Sequence, residues 1–315
     1  MKAIILKQED NRRVLSLEER GIPDVTAQEV LIKTIAVGIN YADIQIRKGV
    51  YPPPVELPAI MQGEVEGIIT VVGSEVTGFR IGQRVSGFAT HGYAEYAVLH
   101  SDMVNSLPDE LQPGQGLTGQ ALTAKHLLEG AAHYQAVVIT AAAGGVGTFA
   151  VQLAKQLDIP VIIAMTGDDS KADYVKSLGA THHVTYRKSD WEHQLSGIIS
   201  RTAPNLILDA VGGELGAALA AHLSFRGKMV VYGGTVAQPT MLNLQELIMR
   251  EAVVSGATLY AVTKQQQQEW VNEITAAILQ GQLEMPLTAY PFAEVAGAYA
   301  DLESRRTRGR VILTL

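Results

Sequence analysis

Residues 136–147 read Ala-Val-Val-Ile-Thr-Ala-Ala-Ala-Gly-Gly-Val-Gly, an apolar run that ends in a cluster of glycines. Without Cβ atoms, Gly144 and Gly145 let an anionic group such as a diphosphate approach the main chain, and the amides opening the next helix donate to it. Gly147 lets that helix pack closely on the strand. A glycine pattern alone marks only a turn. Its weight here comes from the apolar strand before it and from Val146, Ala150, Leu153, Ala154 and Leu157 after it, which recur at helical spacing. In that setting Ala143, Gly144, Gly145, Val146 and Gly147 are candidate contacts for a dinucleotide.

The end of the following apolar strand separates the two nicotinamide dinucleotides. NAD takes a carboxylate there, accepting from the ribose 2′-hydroxyl, whereas NADP needs room and positive charge for a 2′-phosphate. The chain reads Met165-Thr166-Gly167, then Asp168, Asp169, Ser170 and Lys171. The acids come late and also suit the first turn of a helix. Thr166 and Gly167 leave room and Lys171 offers a charge, which favours NADPH, although a lysine at such a place also reads as a solvated surface cation.

Other chemistry is narrowed by composition. The 315 residues include no cysteine, which removes disulfides, thiolate nucleophiles and cysteine-ligated metals together. The eight histidines show no metal-ligand spacing, and the adjacent His182 and His183 would point to opposite faces of a strand. A net charge of −7 argues against nonspecific binding of nucleic acid. No stretch nears the roughly 20 apolar residues that span a bilayer, and the first residues read as a strand rather than a signal peptide. A cytoplasmic protein without nucleic-acid or membrane partners is expected.

Two domains must position these groups. Up to about residue 112 the chain reads as short strands among glycines and prolines, including Glu29–Val37, Glu64–Val72, Arg84–Gly87 and Tyr93–Leu99. The run Tyr51-Pro52-Pro53-Pro54 reads as stiff and extended. Beyond Gly116, strands at Ala136–Thr140, Pro160–Met165, His183–Thr185, Leu206–Asp209 and Lys228–Tyr232 alternate with helical stretches and predict a parallel sheet covered on both faces. Ala252–Thr258 would be its last strand. A helix over Lys264–Gln280 and a strand over Arg310–Leu315 return the tail to the first region. The expectation is therefore an α/β protein with one β-rich domain over 1–115 and 259–315 and a doubly wound domain over 116–258.

Several segments carry a family likeness. Gly38-Ile-Asn40-Tyr41-Ala-Asp43, Arg47-Lys-Gly49-Val-Tyr51-Pro52, Gly63-Glu64-Val-Glu-Gly67, Gly92-Tyr93-Ala94-Glu95-Tyr96 and residues Ala141 to Lys155, in that order, resemble the quinone oxidoreductase (zeta-crystallin-like) branch of the medium-chain dehydrogenase/reductases. The resemblance implies a GroES-like catalytic domain interrupted by a Rossmann domain that binds NADPH. It also implies that Lys171, Tyr186 and Arg305 clasp the 2′-phosphate, and that Thr123, Val211, Tyr232, Gly233 and Gly234 line the cofactor, with Asn40 near the nicotinamide. Zinc alcohol dehydrogenases of the same architecture carry cysteine where this chain has Asn40 and histidine where it has Gly63, so no metal is implied.

Without zinc, the accessible chemistry is hydride delivery to a quinone or α,β-unsaturated carbonyl, which stabilises the incoming charge as a hydroquinone anion or enolate. By its likeness to enoyl thioester reductases, Tyr51 is a proton or hydrogen-bond donor; as an aromatic it also suits a wall against the substrate. Gln45 stands where some quinone reductases carry tyrosine. Asp43 and Glu64 look like functional acids, a general base being one reading, but on their motifs they read as structural acids that bond backbone and arginine groups. Enoyl thioester reduction and an NADPH-binding protein with little turnover are the competing functions. An acyl-carrier substrate would call for a basic patch, and Arg305, Arg306, Arg308 and Arg310 are the only dense basic cluster. Family likeness implies a homodimer through the edge strand Ala252–Thr258.

Overall fold

Lys2–Glu9 buries Ala3 to Leu6, and it pairs antiparallel with Arg12–Glu19, from Lys2 opposite Glu19 to Glu9 opposite Arg12. This second strand was not expected, because charges interrupt its apolar residues. The computed structural model describes residues 1–10, 12–51, 54–199, 205–236 and 238–315; the expected stiff run through Pro52 and Pro53 lies partly outside them. Among the described residues the chain divides into two compact units, Met1–Gly119 with Thr263–Leu315, and Gln120–Val262.

In the first unit, a seven-stranded sheet runs in the order Leu287–Pro291, Arg310–Thr314, Glu29–Ile39, Gly63–Val72, Arg84–Ala89 and Val104–Ser106, with Tyr96–His100 pairing beside Glu29–Ile39. Glu29–Ile39 pairs along one edge with Gly63–Val72, with register shifts between Leu31 and Ile32 and between Thr34 and Ala36, and along the other with Tyr96–His100 and Arg310–Thr314. Ile4, Leu6, Ile32, Val37, Val65 and Leu313 form one core with Ala298 and Tyr299 of the helix Val295–Glu303. The tail does return here: Arg310–Thr314 pairs antiparallel with Glu29–Ile39. The helix Lys264–Leu279 buries Trp270, Val271, Ile274 and Ile278, and Gln268 reaches the Ser106 amide at 3.1 Å.

The helix Tyr41–Lys48 was not foreseen. It starts where the Asp43 carboxylate accepts the Asn40 N–H at 2.7 Å and stops at Gly49, whose φ of 75° turns the chain out.

The second unit holds a fully parallel six-stranded sheet in the order His182–Thr185, Val161–Thr166, Ala136–Ile139, Asn205–Asp209, Lys228–Val231 and Val253–Gly256. The order reverses between Ala136–Ile139 and Asn205–Asp209, and open sheets of this kind bind ligands beyond the carboxyl ends of strands at such a switch. Val138, Ile163, Ile207 and Met229 are completely buried, as central parallel strands require. No helix of the described residues is long and apolar enough to cross a membrane.

Candidate active site

Thr140 closes the first strand of the parallel sheet. Its N–H donates to Leu208 O at 3.0 Å, while its hydroxyl donates to the Asp209 carboxylate at 2.8 Å and accepts from Ala210 N–H at 2.8 Å. Ala141 then takes a left-handed φ of 48° and its carbonyl receives Gly144 N–H at 2.8 Å. Such a conformation costs a residue bearing a Cβ about 1 to 2 kcal/mol, strain of the kind that collects at functional turns.

The glycines of the turn differ in what surrounds them. A Cβ on Gly147 would stand 2.5 Å from Ala141 O and 2.6 Å from Ala142 Cα, so the helix Gly145–Gln156 could not seat. The space beside Gly145 is taken by the Gln120 amide, 1.7 Å from where a Cβ would be. Gly144 meets only Ala141 O, at 3.2 Å, and has an ordinary φ of −84°. Its bare face is open at a helix start that has no acid in its first turn, and these residues fit a diphosphate.

Sequence reasoning missed Asp209. Fully buried, it accepts from Thr140, from Val211 N–H at 3.0 Å and from Gly212 N–H at 3.0 Å, tying the glycine turn to the loop that carries Val211. The available signal was an acid ending an apolar strand at the switch point. Tyr232 N–H donates to Asp209 O at 3.0 Å, and burial, with the Asp209 charge, pushes its phenol well above the usual range. Gly233 and Gly234 follow it, and Thr123 lies on the helix Gly119–Leu127.

At the end of Val161–Thr166, the Thr166 hydroxyl donates to Asp168 O at 2.8 Å and meets His183 Nε2 at 2.7 Å. Burial lowers the His183 pKa, which favours the neutral ring. Both following acids are engaged locally: Asp168 by Ser170 N–H at 3.0 Å and by the Ser170 hydroxyl, Asp169 by Lys188 at 2.7 Å and Thr185 at 2.6 Å. Around Gly167 stand a phenol and a guanidinium, with Tyr186 O 3.3 Å and Arg187 Nε 3.6 Å from where its Cβ would be. The charges of Lys171 and Arg187 both act on Asp168. Lys171, Tyr186 and Gly167 are thus brought into one neighbourhood, and Arg187 joins them although the sequence had not singled it out. Arg305 belongs to the other unit, at a left-handed φ of 60° just after the helix Val295–Glu303.

In the first unit, Asn40 caps Tyr41–Lys48 and Tyr51 is exposed at the edge of the described segment. Asp43 is fully buried; besides Asn40 N–H its carboxylate accepts the Tyr93 hydroxyl at 3.2 Å, which in turn accepts the Tyr299 hydroxyl at 3.2 Å. Burial pushes the Asp43 carboxyl up to about 7 despite these donors, and pushes both phenols well above their usual range. Tyr93 can lie there because residue 63 is glycine: a Cβ would meet its ring at 2.6 Å.

Glu64 accepts Gly119 N–H at 2.8 Å and pairs with Arg310, which is 1% exposed. Arg310 is therefore no part of a surface basic patch, a correction to the arginine cluster read from sequence. Glu66, two residues along the same strand, accepts Gly114 N–H at 3.0 Å and Gly116 N–H at 2.8 Å and pairs with Arg84. Glu64 thus bonds backbone and an arginine, and Asp43 bonds backbone and Tyr93 rather than an arginine.

Comparison with known proteins fits this geometry. The sequence profile of the alcohol dehydrogenase GroES-like domain matches residues 26–109, and that of the zinc-binding dehydrogenase matches residues 145–277. Over 298 residues, 91% of each chain, the protein is 30% identical to quinone oxidoreductase of Pseudomonas aeruginosa, and over 314 residues, 95% of each, it is 30% identical to quinone oxidoreductase 1 of Escherichia coli. The chain belongs to the quinone oxidoreductase branch of the medium-chain dehydrogenase/reductases. A solved structure of the Escherichia coli quinone oxidoreductase complexed with NADPH covers 100% of both chains with a TM-score of 0.92 and 28% identity. The fold is thus GroES-like plus Rossmann, as the family motifs implied. Although one profile is named for zinc, among the described residues no three His, Cys, Asp or Glu side chains gather where an ion could be held.

Proposed function

We propose that this chain transfers hydride from NADPH to quinones and α,β-unsaturated carbonyl compounds without a metal ion. The observation that carries the reading is the bare face of Gly144 at an acid-free helix start, at the same end of the parallel sheet as the Tyr186 phenol and Arg187 guanidinium beside Gly167 and the Lys171 charge that acts on Asp168. Those donors suit a diphosphate and a 2′-phosphate. The NADPH named in the relative's structure is the ligand that these groups would hold.

Bound NADPH supplies the hydride; every other task falls to the protein. Ala143 to Gly147 hold the diphosphate, Thr166 and Gly167 make room for the ribose, and Lys171, Tyr186 and Arg305, with Arg187, bind its phosphate. Thr123, Val211, Tyr232, Gly233, Gly234 and Asn40 orient the nicotinamide, and Asp209 fixes the loop behind Val211. Tyr51 donates to the oxygen of the acceptor as negative charge develops there. Residues 1–115 and 259–315 form the catalytic domain and 116–258 the cofactor domain. Asn40 and Gly63 in place of zinc ligands, and the absence of cysteine, support metal-free chemistry.

The test is oxidation of NADPH, followed by absorbance, with 1,4-benzoquinone, 9,10-phenanthrenequinone, short enones and crotonyl thioester. Quinones and enones should turn over, and NADH should serve poorly. Turnover confined to crotonyl thioester would make the protein an enoyl thioester reductase. Tight NADPH binding with no turnover would make it a binding protein.

The protein acts as a cytoplasmic homodimer in this reading. Val253–Gly256 is the edge of the parallel sheet, and near it in sequence Leu244, Ile248, Met249 and Tyr260 are between 67% and 89% exposed. An apolar edge of this kind suits pairing with a second copy. Gel filtration with light scattering should return twice the chain mass, and a monomer at micromolar concentration would refute it.

A further inference from the structure

Asp43, at 2% exposure, and Glu64, at 9%, lie in the interior of the first unit, where the charges of Glu64 and of the fully buried Arg310 act on Asp43. Glu64 takes the ion pair with Arg310. The hydrogen-bond partners of Asp43 are an amide and a phenol, and its negative charge has no ion pair. Two buried acids beside one base leave one negative charge uncompensated, and Asp43 is the acid without an ion pair.

We propose that Asp43 is a positioning residue whose carboxylate, backed by Tyr93 and Tyr299, clamps the main chain at Asn40, and that uptake of a proton loosens the clamp. This rests on the assignment of Asn40 to the nicotinamide side. The ionised carboxylate accepts from Asn40 N–H and from Tyr93 O–H, and charge-assisted bonds are roughly twice as strong as neutral ones. The neutral acid grips both partners less and needs an acceptor for its own proton.

Tyr93 comes from the turn before Tyr96–His100 and Tyr299 from the helix Val295–Glu303. Glu64 lies on Gly63–Val72, and its charge opposes ionisation; Arg310 lies on Arg310–Thr314 and favours it. On the helix of Asp43 itself, the Arg47 guanidinium lies 5.5 Å from the centre of the Tyr299 ring and is paired with Glu303. Burial, the largest influence, pushes the Asp43 carboxyl up to about 7.

Two measurements on the full-length protein test this. In the cofactor-free protein, the Asn40 amide resonance should titrate near neutrality, should not do so in Asp43→Asn, and in Tyr93→Phe should move to higher pH by about one unit, one charge-assisted bond having been lost. Turnover with saturating NADPH and quinone should follow, with an acid limb that disappears in Asp43→Asn and shifts upward in Tyr93→Phe. Tyr93→Phe keeps the test open if Asp43→Asn does not fold. A general loss of stability would lower turnover at every pH alike and leave the limb in place. An Asn40 amide that does not titrate overturns the clamp. Wild-type turnover in Asn40→Ala overturns instead the assignment on which the catalytic part depends.

Discussion

Replacing Gly144 by alanine separates the space a glycine leaves for a ligand from the space it leaves for the fold. At φ −84° an alanine is unstrained, and the one atom within 4 Å of the new Cβ is Ala141 O at 3.2 Å. That contact costs a few tenths of a kcal/mol, while the loss of glycine freedom in the unfolded chain returns about 0.4 to 1 kcal/mol. Stability should therefore stay within about 0.5 kcal/mol of wild type. On the ligand side the methyl stands where the diphosphate must approach the amides, and losing one or two charge-assisted bonds of about 1.5 to 3 kcal/mol each weakens NADPH binding at least tenfold, and more if both go. Gly147→Ala is the control, because its Cβ would press on Ala141 O and Ala142 Cα at 2.5 and 2.6 Å. It should lower the melting temperature as well as the affinity. Thermal melts and titration of NADPH fluorescence read both quantities. Full affinity for NADPH in a normally melting Gly144→Ala protein would show that the diphosphate does not lie on this turn.

Removing the guanidinium in Arg187→Ala, or the ammonium in Lys171→Ala, should raise the Kd for NADPH by about tenfold with little change for NADH, the low end of a charged contact because both side chains are partly solvated; equal losses for the two cofactors would count against both roles. Tyr51→Phe should lower kcat with quinone without changing the melting temperature, and an unchanged kcat would assign the ring to packing. Glu66→Gln leaves Arg84 buried without its counter-charge and weakens the acceptor for Gly114 and Gly116, so urea unfolding should show a loss of about 3 to 5 kcal/mol. A loss below 1 kcal/mol would mean that water or a shifted Arg84 takes over.

How much could be read in advance depended on how far apart in sequence the interacting groups lie. The glycine turn was legible because its strand, its missing Cβ atoms and its helix fall within the 21 consecutive residues 136–156, and the parallel sheet followed from strict strand and helix alternation. Tyr41–Lys48 was not, because the helix is set at its ends, by Asp43 reaching back to Asn40 and by Gly49 at positive φ, rather than by an apolar period. Arg310 shows the other limit. Four arginines within residues 305–310 look like one solvent-facing cluster, yet the strand turns Arg310 inward to Glu64, 246 residues away, and only the register with Glu29–Ile39 brings that partner within reach. Arg187 and Lys188 part company in the same way: Lys188 goes to Asp169, while Arg187 lies beside Gly167. Local chemistry written as missing atoms survives in a sequence, but chemistry written as a charge needs its partner. Asp209 and Asp43 illustrate this: Asp209 looked like an ordinary acid until its strand end showed what the carboxylate holds, and Asp43 was read as bonding backbone and arginine, whereas beside the backbone its partner is Tyr93, bonded in turn by Tyr299.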